Sequence, residues 1–428
     1  MKVFLSAGDR ASSRESNAHA TGFSAETGRP ASRVGGTPPG HYTEAPMLYQ
    51  PPLPPKYARF SEPELAEQIA AHKARLGKRL VILGHHYQQD EVIRFADFTG
   101  DSLKLSQLAA AQKDAEFVVF CGVHFMAESA DILTDERVAV ILPDLAAGCS
   151  MADMADIEQV EWAREQIAGA TEDTVVPITY VNSSAAVKAF CGGHGGACCT
   201  SSNARSVLEW ALDGATPETG RRGRKVMFLP DQHLGRNTAY ALGWPLDSMA
   251  VWDPKEDLGG LTPEAIDAAS FLLWKGHCSV HQLFTAKQVA DARARDPDVR
   301  VIVHPECDWS VVQAADLVGS TEYIIRTLDD APAGSRWAVG TEVHLVQRLA
   351  QRHAGAKEIR LLSGIQCLCT TMYRIDMKHL LWVLDELAAG RMANRIRVDA
   401  ETKALARIAL DRMLSLKAQP IGGKTLVD

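Results

Sequence analysis

The feature that most restricts what this chain can fold into is an ordered internal repeat. Three times, an apolar run ends in polar residues, and a small hydroxyl residue follows 17, 21 and 17 positions later. The first pass runs from His85-His86-Tyr87 to Ser102, the second from Tyr180-Val181-Asn182 to Ser201, and the third from His304-Pro305-Glu306 to Thr321. Each pass goes on to a related tetrad: Val123-His124-Phe125-Met126, Gln232-His233-Leu234-Gly235 and Val343-His344-Leu345-Val346. A cysteine closes each pass. Cys149 lies 25 residues past His124 and Cys369 lies 25 past His344, whereas Cys278 lies 45 past His233, which implies extra loop in the middle copy. Repetition at this scale means one supersecondary unit built several times over.

The unit reads as α/β. Short apolar runs, expected to be buried strands, occur at 79–83, 117–120, 138–142, 175–180, 225–229, 249–252, 299–303 and 358–362, separated by alanine-rich helical stretches. Ser61-Glu62-Pro63-Glu64 carries the signature of a helix start, a hydroxyl cap followed by acids in the first turn. Alternation of this kind predicts parallel sheets covered on both faces. In such sheets ligands gather beyond the C-terminal strand ends, where all the repeated polar residues fall. Three small three-layer αβα lobes around a shared centre account for the order. The boundaries expected are 56–148 plus 370–428, 149–277 and 278–369. Residues 1–55, rich in Ser, Gly, Ala, Thr and Pro, read as a flexible arm.

A pseudo-threefold arrangement would bring three thiols from different lobes to one point, a donor set for a soft metal centre. Composition narrows the alternatives. A net charge of −8 without a basic run argues against nucleic acid as a partner. No apolar stretch approaches the roughly 20 residues needed to cross a bilayer. Nine cysteines without a secretory signal point to reduced thiols or metal ligands in the cytoplasm rather than to disulfides.

Gly84-His85-His86-Tyr87-Gln88, Gly100-Asp101-Ser102-Leu103, Phe125-Met126-Ala127-Glu128-Ser129-Ala130 and Tyr180-Val181-Asn182-Ser183-Ser184-Ala185 resemble quinolinate synthase motifs. So do Pro230-Asp231-Gln232-His233-Leu234-Gly235-Arg236, Cys278-Ser279-Val280-His281, His304-Pro305-Glu306 and Val318-Gly319-Ser320-Thr321, and the resemblance spans about 60 to 420. It implies three pseudo-symmetric lobes with a [4Fe–4S] cluster at their junction, held by three cysteines so that one iron stays open as a Lewis acid. The reaction implied is a transferase step of NAD biosynthesis. Iminoaspartate condenses with dihydroxyacetone phosphate to give quinolinate, phosphate and water, alongside an enzyme that supplies iminoaspartate.

Carried over by motif, the cluster ligands are Cys149, Cys278 and Cys369. Cys367 competes for the last place, but Cys369-Thr370-Thr371-Met372 keeps the family's Cys-Pro-x-Met spacing with Thr for Pro. The substrate residues implied are His85, Tyr87, Ser102, Tyr180, Asn182, Ser201, His304, Glu306 and Thr321. Ser102, Ser201 and Thr321 are expected at helix N-termini, where hydroxyls and N–H groups hold anionic oxygens, although a plain helix cap would use the same residue types. Glu306, His85, Tyr87 and His304 are the candidates for catalysis, with Glu306 as base. The segment Cys191-Gly192-Gly193-His194-Gly195-Gly196-Ala197-Cys198-Cys199 stands apart. It could hold an accessory metal or a redox pair, but a glycine-rich loop near the site is the preferred reading. Two other classes remain open: an aconitase-like open-iron hydro-lyase, and an iron–sulfur sensor or electron carrier, which would want a fourth ligand and no polar pocket.

Overall fold

The computed structural model describes residues 49–417. Residues 1–48 of the expected arm, and the last eleven residues of the chain, lie outside the described residues. Of the arm's remainder, Gln50 Oε1 accepts hydrogen bonds from Leu145 N at 3.0 Å and Asn394 Nδ2 at 2.7 Å.

The expected helix start is present. Helix Glu62–Leu76 opens with a capping box in which Ser61 and Glu64 satisfy each other's backbone N–H groups. The strands that follow form three sheets. The first holds β1 (Leu80–His85), β2 (Phe98–Gly100), β3 (Phe117–Cys121) and β4 (Ala139–Ile141). The second holds β5 (Thr174–Tyr180), β6 (Ala197–Cys199), β7 (Arg224–Leu229), β8 (Met249–Trp252) and β9 (Phe271–Trp274). The third holds β10 (Arg300–Val303), β11 (Leu317–Val318), β12 (Arg336–Gly340) and β13 (Glu358–Leu361). β14 (Arg395–Ile396) returns to add an antiparallel edge beside β4.

The spatial orders reveal the repeat. In the first sheet it is β4-β3-β1-β2, in the third β13-β12-β10-β11, and in the second β9-β7-β5-β6 with β8 outside β9. Each is the same four-strand unit, fourth-third-first-second, with every pairing inside it parallel. The α/β class and the layered lobes read from the sequence are those observed. The extra length before Cys278 is more than loop: it contains β8 and helix Pro263–Ala268.

Parallel strands covered on both faces are apolar throughout, which is why these runs do not alternate. β1, β3 and β4 are buried along their whole length. Helix Ala185–Gly193 packs against the C-terminal helix Ala400–Ser415, and Gly192 sets their approach. A Cβ at Gly192 would sit 1.9 Å from the Leu405 backbone carbonyl oxygen, so the helices would have to separate. Gly192→Ala is therefore expected to destabilise the fold by about 1–3 kcal/mol, the usual cost of overpacking, read as a lower urea midpoint. An unchanged midpoint would contradict this packing.

Candidate active site

The repeat places equivalent residues around one centre. The first strand of each unit ends at His85, Tyr180 or just before His304. The short second strand leads to Ser102, Ser201 or Thr321, and the fourth strand precedes Cys149, Cys278 or Cys369. All these residues, with Tyr87, Asn182 and Glu306, line a single cavity. The expected cluster ligands and substrate residues are thus brought together. Cys367 is not in the cavity lining; it is buried, with Sγ 3.7 Å from the Ile365 carbonyl.

Ser102 and Thr321 are the first residues of helices Ser102–Ala111 and Thr321–Asp330, and the capping falls to their neighbours. Asp101 accepts from Lys104 N at 2.9 Å, and Ser320 from Tyr323 N at 3.3 Å. With the caps supplied one position earlier, the Ser102 and Thr321 hydroxyls are left to face the cavity. Ser201 differs: it sits in the turn before helix Ala204–Ala211, with its Oγ 3.2 Å from His304 Nε2.

The imidazoles are neutral donors. His85 Nδ1 accepts from Tyr87 N at 3.1 Å, and His304 Nδ1 accepts from Glu306 N at 3.4 Å. The ring proton of each then belongs on Nε2. Burial, with His86 adding to it, pushes the His85 pKa down to about 3, and burial and His281 do the same to His304 despite the pull of Glu306. Burial alone would push the Glu306 carboxyl up, but His281 and His304 beside it hold it well below the usual carboxylate range. His281 Nδ1 lies 2.6 Å from a Glu306 oxygen, its ring stacks on His304 at 4.5 Å, and its Nε2 meets Thr341 Oγ1 at 3.2 Å. Tyr87 is held by Thr321 Oγ1 at 3.1 Å and Thr341 Oγ1 at 2.9 Å, and burial keeps both the Tyr87 and Tyr180 phenols protonated.

Sequence reasoning does not reach His281 and Thr341. The available signal for His281 was its place one turn beyond Cys278; Thr341 had none. Cys278, His281 and Glu306 are the one group of three metal-capable side chains within 4.8 Å of one another among the described residues. The cysteine-rich segment makes no such group. It is the end of helix Ala185–Gly193 and strand β6, and Cys191, Cys198 and Cys199 are wholly buried.

At the cavity's edge, His86 Nε2 contacts Glu322 Oε1 at 2.9 Å, joining the first sheet's segment to the third. Burial opposes ionisation of Glu322, but His86 and Lys104 outweigh it and lower its pKa from 4.5 to about 2. Its stabilisation is therefore present above the unfolded value and lost as the pH falls from 4.5 towards 2. Urea midpoints of apoprotein and of its Glu322→Gln variant should differ at neutral pH and converge at low pH. A gap that persists in acid would contradict this.

Three parallel α/β units each send a thiol, a hydroxyl and a polar strand end into one cavity, which defines a three-lobed α/β protein with a soft-metal-compatible donor set at its centre. Comparison with known proteins gives the family. A family model described as quinolinate synthetase A protein matches residues 67–415. Curated relatives named quinolinate synthase include one from Nocardioides sp., 56% identical over 366 residues, covering 85% of this chain and 91% of that protein. Others come from Acidobacterium capsulatum, 56% identical over 84% of this chain and 95% of the relative, and Geobacillus kaustophilus, 55% identical over 85% and 96%. The chain belongs to the quinolinate synthetase A family, the quinolinate synthases of NAD biosynthesis.

Proposed function

We propose that the chain condenses iminoaspartate with dihydroxyacetone phosphate to form quinolinate, releasing phosphate and water, with a [4Fe–4S] cluster bound by Cys149, Cys278 and Cys369 and one iron left open. The observation that carries this reading is the meeting of one thiol from each repeat with the repeated hydroxyls and imidazoles in one cavity. The donor set suits the group. Burial, with Cys369 nearby, pushes the Cys149 thiol up to about 12, and burial likewise raises Cys278 and Cys369, so the free thiols stay protonated. A coordinating metal is what would draw those protons off. When bound, the cluster would supply Lewis acidity at its open iron.

The chain's own side chains have separate tasks. Ser102 and Thr321, at helix N-termini, and Ser201 bind phosphate or carboxylate oxygens without a lysine or arginine. His85 offers a neutral N–H donor to the substrate and His304 gives its own to Ser201 Oγ, which avoids burying further charge. The Asn182 amide oxygen is buried with no hydrogen-bond partner among the described residues, so it awaits a donor from the substrate. Glu306, ionised beside two stacked imidazoles, is the base that removes protons during ring closure, and the Tyr87 and Tyr180 phenols are proton donors to departing oxygen. The burial of these groups keeps water from the imine.

The reading includes three lobes with the boundaries expected above, each supported by one sheet. It also includes a cytoplasmic location, where nine unpaired cysteines remain reduced. Among the described residues no helix is long and apolar enough to cross a membrane. Iminoaspartate hydrolyses readily, so a nearby enzyme must supply it. The test is an anaerobic incubation of the cluster-loaded protein with both substrates. Quinolinate and phosphate should appear in equal amounts; a full cluster without quinolinate would transfer the protein to another class of open-iron dehydratase.

A further inference from the structure

A second recess of about 440 Å³ adjoins the cavity. Asp101 and Ser201 line both spaces, so a wall one residue thick divides them. Ser202 Oγ closes that wall by donating to Asp101 Oδ2 at 3.0 Å, a bond between segments of the first and second sheets. The remaining wall comes from the third repeat, through Ser320, Glu322 and Arg326. All three repeats therefore meet at this recess, as they do at the cavity.

Its charges are sorted by depth. Asp101 is buried and its oxygens are taken by Lys104 N and Ser202 Oγ. Glu322 is engaged by His86 at 2.9 Å and by Lys104 Nζ at 3.5 Å. The cations lie outside them: Lys104 is half exposed, and Arg326 is exposed and pairs with no carboxylate among the described residues. Both belong to the helices whose first residues, Ser102 and Thr321, face the cavity. An anion held between Lys104 and Arg326 would lie near the positive ends of two helix dipoles, with the cavity beyond them.

We propose that this recess is the mouth through which the anionic substrates reach the cavity, and that Lys104 and Arg326 capture the phosphate-bearing one there. On this view the Asp101–Ser202 hydrogen bond is the bar that parts for each turnover. Neither cation touches the reacting atoms, so their work is in association rather than in the chemical steps. The inference rests on the proposed reaction for its kinetic arm and has a second arm that does not.

In the kinetic arm, quinolinate formation is followed against dihydroxyacetone phosphate at low and high potassium chloride. It compares wild type, Lys104→Ala/Arg326→Ala and the control Lys113→Ala, an exposed lysine two residues beyond the far end of the Lys104 helix. The double variant should lose about tenfold or more in kcat/KM at low salt, the scale of electrostatic steering, with kcat within about twofold and the salt dependence flattened. Lys113→Ala should match wild type. A double variant with wild-type kcat/KM and salt dependence would overturn the proposal, as would an equal fall in kcat and kcat/KM. In the second arm, the holoprotein is titrated with inorganic phosphate by calorimetry. Several-fold weaker binding in the double variant supports the mouth whatever the product of the reaction, and equal binding in both proteins overturns it.

Discussion

Cys369→Ser is expected to leave a folded protein with little iron and no quinolinate formation, whereas Cys367→Ser should keep both. A single residue separates these thiols, but the fold treats them differently. Cys369 lines the cavity with Cys149 and Cys278, while Cys367 is buried outside that lining with its sulfur towards the Ile365 carbonyl. A serine oxygen is a poor ligand for the soft irons of a cluster, so losing one of three sulfurs removes the group. Cys149→Ser and Cys278→Ser should behave as Cys369→Ser does. Iron and sulfide after anaerobic reconstitution, with circular dichroism to establish folding, decide the matter. Retention of the cluster in Cys369→Ser and its loss in Cys367→Ser would reverse the assignment.

Glu306→Gln is expected to lower turnover by about 10²- to 10⁴-fold while iron and sulfide stay at wild-type levels, the range lost when a general base is removed. The change preserves size, and the amide can still accept a hydrogen bond from the Tyr180 phenol. What it removes is the negative charge that His281, at 2.6 Å, and His304 hold in place. An amide cannot take up a proton. The loss should therefore fall on kcat, with the cluster's absorption spectrum unchanged in the absence of substrate. Full turnover by an intact Glu306→Gln holoenzyme would sink the assignment of Glu306 as base. His281→Ala should give a smaller loss, because His304 Nδ1 still lies 3.9 Å from the same carboxylate oxygen.

Much of this centre was legible before the fold because the repeat tied spacing to position. His85, Tyr180 and His304 end buried parallel strands whose apolar runs stand out against the alanine-rich helices. Cys149 and Cys369 stand at the same distance from their tetrads, which identified them as equivalent without any knowledge of the sheets. The elements that escaped notice are short or hidden. β2, β6 and β11 have two or three residues each, too few for a periodic signal, and end in glycine, cysteine or valine beside the hydroxyl turn. β9 and β12 have longer apolar runs, but β9 follows the inserted β8 and pairs with it, and β12 is placed by its pairing with β10 and β13.

The site's electrostatics were less accessible than its membership. Nothing local to His281 says that it will stack on His304 and hold Glu306 ionised, since these residues come from different loops. The same holds for Thr341, which supports both Tyr87 and His281. Nor does the cysteine count reveal that Cys191, Cys198 and Cys199 are wholly buried at a helix end and in strand β6.

The central claim is that three thiols from three repeats hold one open-iron cluster. Its most direct test is the iron and acid-labile sulfide content of protein purified without oxygen and reconstituted. The account predicts about four of each per chain, the composition of a cubane cluster, falling to near zero in Cys149→Ser, Cys278→Ser and Cys369→Ser alike. A wild-type protein that takes up no iron and sulfide, or one that keeps its full complement without any of these three cysteines, would contradict it.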